Sequence, residues 1–204
     1  MFSRRIQLAA LLALALLACG TVCGAEASPP ADNIAALIQP QKLATLGKRA
    51  ANPRIQKCVY WLAAAQQHGA DPRLVAAEAA ARAGYTNTLA RQFTADALPR
   101  NLTIATKLGC LNAAGMAEMR QGRAPTITQG PYAGDELSVD HIIPRAVCPE
   151  LDNVIANLEL MPLKMNQAKN AKVGARQQAL ATDLHRADLL STSGLNTVRS
   201  GAQK

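Results

Sequence analysis

The sequence predicts an α+β fold, mostly helical, in which a short strand–loop–strand–helix unit in the C-terminal half packs against an N-terminal helical region. Three observations carry that prediction. Residues 31–122 are alanine-rich and broken by Gly and Pro at intervals that suit helices of ordinary length. Two brief segments, Glu136–His141 and Leu158–Leu160, mix or alternate apolar and polar residues as short strands do, and a loop bearing Pro149, Asp152 and Asn153 separates them. Pro162 then precedes residues at helical spacing.

The chain opens with a targeting segment, residues 1–27, expected to lie outside the fold. Arg4 and Arg5 form a basic start, and Leu8–Leu17 is an apolar stretch too short to span a bilayer as a permanent helix. Two processing readings stay open. Leu16-Leu17-Ala18-Cys19 resembles a bacterial lipobox, which would put a lipid on Cys19 and make an outer-membrane lipoprotein. Ala25-Glu26-Ala27 resembles a signal-peptidase site, which would release a soluble chain starting at Ser28. Ser3-Arg4-Arg5 resembles a twin-arginine signal, but Gln7 falls where an apolar residue belongs, so a general secretory route is expected. Either way the protein is expected to leave the bacterial cytoplasm, for the periplasm or the medium.

In the helical region Pro53 opens a helix expected to reach Gly69, with Val59, Leu62 and Ala63 on one face. Asp71-Pro72 supplies an N-cap and a first-turn proline for the next, which should end near Gly84. Further helices are expected over Thr88–Ala97 and Leu102–Arg120, with Gly109 and Gly115 as candidate breaks. Residues 125–134 read as a loop into the first strand, which should end at Ile142-Ile143-Pro144. After Pro162, Asn166, Lys169, Asn170 and Val173 should share one helix face. Arg176–Leu190 should extend that helix and close a unit over 132–190, leaving 191–204 as a polar, frayed tail.

The polar residues of this unit suit hydrolysis of a phosphodiester, which needs a base for water, a cation for the developing charge and a rigid frame. His141 is the natural base, since imidazole titrates near neutrality. Asp140 and Asn166 offer hard oxygen ligands; with water and a substrate phosphate, that set suits Mg²⁺ or Mn²⁺ better than zinc. Asn157, sixteen residues after His141, could fix the loop carrying His141 through a side-chain bond to its backbone. Lys164, Lys169, Lys172 and Arg176 supply phosphate-binding charge around the same helix.

These residues resemble the HNH nuclease motif of the ββα-metal superfamily, over about Tyr132–Arg176. The elements in order are Asp140-His141-Ile142-Ile143-Pro144, then Asn157-Leu158, then Asn166 nine residues on with Lys169 in an N-x-x-K. The Asn-to-Asn spacing is similar to that in the HNH domain of the CRISPR effector nuclease, and colicin DNases share the framework. The resemblance implies that His141 is the general base, Asp140 and Asn166 the metal ligands, and Asn157 the residue orienting the histidine loop. It also implies that Asn170 touches phosphate or metal. Two departures are visible: the last position is Asn instead of His, which favours Mg²⁺ or Mn²⁺, and paired C-x-x-C knuckles are absent. The bland alternative is an Asp-His turn with polar helix residues facing solvent. Three elements in order within one strand–loop–strand–helix pattern weigh against it.

Charge supports a polyanion partner. Removing Arg4, Arg5 and Glu26 from 22 basic and 14 acidic residues leaves 20 and 13, a net of +7. One Trp, three Tyr and two Phe leave little for a base-stacking platform, so low sequence selectivity is expected. Cys58, Cys110 and Cys148 lie in the folded part, where an oxidising compartment permits a disulfide and all three pairings stay open. His68 reads as a helix end beside Gly69, and His185 as an exposed helix residue.

The expected function is therefore an exported, metal-dependent HNH endonuclease acting on nucleic acid, on DNA in preference to RNA. No protein partner is inferred. An envelope-anchored module that binds nucleic acid without cutting it fits the charge and the export signal equally, but gives no reason for the Asp-His-Asn-Asn set. A delivered toxin is disfavoured by the cleavable export signal.

Overall fold

The computed structural model describes residues 29–201, so both processing readings at Cys19 and Ala27 lie outside the described residues. The described chain is mostly helical with one two-stranded antiparallel sheet, an α+β arrangement. Six helices come first: α1 (Pro29–Leu37), α2 (Pro40–Ala44), α3 (Asn52–Gln67), α4 (Pro72–Arg82), α5 (Thr88–Lys107) and α6 (Ala113–Arg120). Strands β1 (Leu137–His141) and β2 (Leu158–Pro162) follow, then α7 (Leu163–Ala168), α8 (Ala175–Arg186) and α9 (Thr192–Gly201). No helix among the described residues is long and apolar enough to cross a membrane.

Local chemistry explains the helix ends. Asp71 accepts from Arg73 N at 2.8 Å and Asn87 from Leu89 N at 2.8 Å, each satisfying a first-turn donor. Gly69 and Gly84 take positive φ just past α3 and α4, the left-handed turn that stops a helix. Along α3, Ile55, Cys58, Val59 and Leu62 repeat at three- and four-residue steps and are all buried.

The structure corrects four expectations. Thr88–Ala97 and Leu102–Arg120 are not the two helices there: α5 runs unbroken from Thr88 to Lys107 with Pro99 inside it. The stripe Ala97, Leu98, Asn101, Leu102 and Ala105 is buried on both sides of that proline, and such burial outweighs a proline cost of about 3 kcal/mol. The break falls instead at Gly109, φ +69°, and Asn112 restarts the chain by accepting from Gly115 N at 2.9 Å.

The helix after β2 is also shorter than expected. It ends at Ala168, Lys169 is extended (φ −70°, ψ 122°), and α8 is a separate helix. Asn166, Lys169, Asn170 and Val173 therefore do not share one helix face; Lys169 leaves the helix to bond back to β1. The tail expected over 191–204 is helix α9 through Gly201. Leu195 and Val198, three residues apart, are buried, while Glu150 accepts from Ser191 N at 3.2 Å and from its Oγ at 2.9 Å. Average polarity hid a two-residue apolar stripe. Finally, Cys58, Cys110 and Cys148 are all free and buried, so none of the three pairings forms. Burial pushes the Cys58 thiol up to about 12 and those of Cys110 and Cys148 up to about 11.

Two apolar clusters organise the packing. The larger joins the N-terminal helices to Leu137, Val139, Leu158 and Leu160 of the sheet. The smaller gathers Ile143, Cys148, Leu151 and Ala156 of the inter-strand loop under Leu184, Leu195 and Val198 of α8 and α9. The strands pair Leu137 with Pro162, Asp140 with Glu159 and His141 with Leu158. Side-chain amides from the helices complete both outer edges. Gln56 Nε2 donates to Leu137 O at 3.0 Å. Asn101 donates to Leu158 O at 3.1 Å and accepts from Leu160 N at 2.7 Å, pairing with β2 as a strand would. Arg100 donates to Ala156 O and Leu158 O, and its burial lowers the guanidinium's affinity for its proton. The sheet is thus held rigidly against α3 and α5.

Candidate active site

Asp140 and His141 end β1, which these bonds and its pairing with β2 hold in place. Three backbone units later the chain turns at Pro144, and Asn157 governs that turn. Its Oδ1 accepts from Ile143 N at 2.8 Å, and its Nδ2 donates to Ile143 O at 3.1 Å and to Leu151 O at 3.4 Å. Its own carbonyl accepts from Ile142 N at 2.8 Å. With 0% exposure, Asn157 is a buried clamp across the two ends of the loop after His141.

The His141 ring is buried, with Nε2 3.0 Å from the Asp152 carbonyl and 2.9 Å from Asp152 Oδ1. Only the carbonyl has hydrogen-bonding geometry; the carboxylate oxygen stands beside the ring nitrogen without a bond. The carbonyl acceptor and the negative charge beside it favour a proton on Nε2, which leaves Nδ1 as the nitrogen with a free lone pair. Nδ1 has no hydrogen bond to a described residue.

Asp140, His141, Asn166, Lys169 and Asn170 line one cavity of about 410 Å³, with Arg49 and Arg145 on its wall. Asn166, on α7, donates through Nδ2 to Ser138 Oγ at 3.1 Å and to Val139 O at 3.3 Å; its Oδ1 accepts no hydrogen bond from a described residue. Lys169 Nζ pairs with Asp140 Oδ2 and donates to His141 O at 2.8 Å. An ammonium already sits on this carboxylate as a stand-in for a cation, and Asn166 Oδ1 is a second unused hard oxygen on the same wall. These donors fit a hydrated Mg²⁺ or Mn²⁺ completed by water and substrate oxygens. Among the described residues no cluster of three or more His, Cys, Asp or Glu side chains is placed to hold a metal.

The remaining basic residues are not in the cavity. Arg176 is locked to Glu159 by two bonds, at 2.9 and 2.6 Å, which hold its guanidinium still more firmly protonated. Lys164 and Lys172 are exposed outside it, Lys164 N bonding Asp135 Oδ2 at 2.9 Å. His68 caps the end of α3, whereas His185 is half-buried instead of exposed, its Nδ1 2.9 Å from Leu190 O. Three residues of the site escaped the sequence reading: Asp152, Arg145 and Arg49. Arg145 directly follows Pro144 and Asp152 is one of two acidic residues of the loop, with Glu150, so both carried a local signal. Arg49, more than ninety positions before Asp140, carried none.

No protein-family model, curated protein or solved structure matches this chain.

Proposed function

We propose that this chain is a metal-dependent HNH-type endonuclease, a ββα-metal enzyme that hydrolyses phosphodiester bonds in nucleic acid, DNA in preference to RNA. The observation that carries the reading is the convergence of Asp140, His141 and Asn166 on one cavity rimmed by Arg49, Arg145 and Lys169. His141 takes a proton from water on Nδ1 while Nε2 stays bonded to the Asp152 carbonyl. The water oxygen then attacks phosphorus in line. Mg²⁺ or Mn²⁺ held by Asp140 and Asn166 would supply Lewis-acid stabilisation of the phosphate charge. Arg49, Arg145, Lys169 and Asn170 bind the phosphates that flank the scissile bond. The basic and apolar halves of residues 1–27 support export, with or without a lipid on Cys19.

The test is digestion of supercoiled plasmid by the purified protein. Nicking and then linearisation are expected with Mg²⁺ or Mn²⁺, and none in EDTA. Intact plasmid in every metal, with a gel shift at low salt, would replace the nuclease with a binding module.

Lys169 gives a second expectation. Its ammonium and the metal compete for Asp140, so Lys169→Met should bind Mn²⁺ about threefold to tenfold more tightly by calorimetry. Unchanged affinity would remove Asp140 from the ligand set.

A further inference from the structure

The nuclease reading assigns no work to the helical region, but one buried carboxylate ties that region to the base. Asp152 Oδ2 accepts from Arg49 N at 3.0 Å, in the loop between α2 and α3. Oδ1 lies 2.9 Å from His141 Nε2 and 4.0 Å from Arg145 Nε, yet is buried without a hydrogen-bond partner. A buried oxygen so placed is stabilised by positive charge beside it, which Arg145 supplies at 4.0 Å and a protonated ring would supply at 2.9 Å. Asn153 fastens the same joint, accepting from Ala51 N at 3.0 Å and donating to Leu46 O at 3.3 Å and Gly47 O at 3.1 Å. Arg49 itself holds φ +57°, a left-handed conformation that a non-glycine residue keeps only when its surroundings impose it.

We propose that Asp152 is the positioning residue for His141, and that loop 46–51 of the helical region sets its place; this rests on the nuclease reading. The carbonyl and the adjacent carboxylate charge together keep the ring proton on Nε2. As Nδ1 takes the proton of the attacking water, the ring becomes a cation, and the carboxylate 2.9 Å away stabilises it. The water oxygen bonds to phosphorus, the P–O3′ bond breaks with its electrons on the 3′-oxygen, and that oxygen takes a proton from solvent. Asp152 touches neither substrate nor metal.

Asp152→Asn keeps the shape and the acceptor for Arg49 N but removes the charge. Its kcat on plasmid is expected to fall about 10–100-fold with KM changed less than about twofold. The ¹⁵N spectrum of the His141 ring, recorded on metal-free protein, should shift from one Nε2–H tautomer to a mixture. Asn153→Ala, which contacts neither ring nor cavity, should move kcat and the ring spectrum the same way by a smaller factor. An unchanged kcat and ring spectrum in Asp152→Asn would overturn the proposal. So would an activity loss that only follows the loss of folded protein by circular dichroism, with the ring of the folded fraction unaltered. If wild-type protein cuts nothing, the nuclease reading falls, and the ring spectrum still decides the Asp152 contact by itself.

Discussion

His141→Ala is expected to slow plasmid cutting by about 10²–10⁴-fold, the usual contribution of a positioned general base. Nothing else in the cavity can take over. Asp140 is paired with Lys169, and the Asp152 carboxylate faces the ring instead of the cavity. The substitution also leaves the Asp152 carbonyl buried without a partner, a loss of about 1–3 kcal/mol. Activity should therefore be compared at equal folded fraction, read by circular dichroism, with DNA binding followed by gel shift. Binding should persist, because Arg49, Arg145 and Asn170 remain. Wild-type cutting by this variant would show that His141 is not the base.

Asn157→Ala is expected to cost about 3–5 kcal/mol of stability. Three side-chain bonds disappear at once, and Ile143 N and Ile143 O are left unpaired in the interior, while Leu151 O keeps its bond from Val154 N. Each orphaned group costs about 1–3 kcal/mol, and the shared cavity makes the sum less than additive. Against a typical domain stability of about 5–15 kcal/mol, that is a large share. Urea unfolding at 25 °C should give a lower midpoint with an unchanged slope. A loss below about 1 kcal/mol would mean that the loop after His141 is held by its apolar contacts with α8 and α9 and not by this amide.

How far the sequence foretold this arrangement depended on the range of the forces involved. Helix α4 was legible because Asp71, Pro72 and Gly84 act within one turn of themselves. The two strands were legible because each short segment that mixes or alternates apolar and polar residues runs up to a proline, Pro144 or Pro162. Pro99 misled: a local rule breaks the helix there, but burial on both flanks decides against it. Helix α9 was missed because Leu195 and Val198 matter only once the Cys148–Leu151 loop is beneath them. The same holds for the site. Asp140, His141, Asn157 and Asn166 stand in one short stretch whose spacing is readable. The early end of α7 depends on Lys169 finding Asp140, and Arg49 enters the wall of the cavity through a contact that no local pattern announces.

The bond between Arg49 N and Asp152 joins residues 103 positions apart. Closing so long a loop is entropically late, since distant pairings form only after much of the chain is already ordered. The wall behind His141 is therefore incomplete until Asp152 has met the α2–α3 loop. The strand–loop–strand unit is not a cassette that matures by itself. Its histidine acquires its final setting only in a finished molecule.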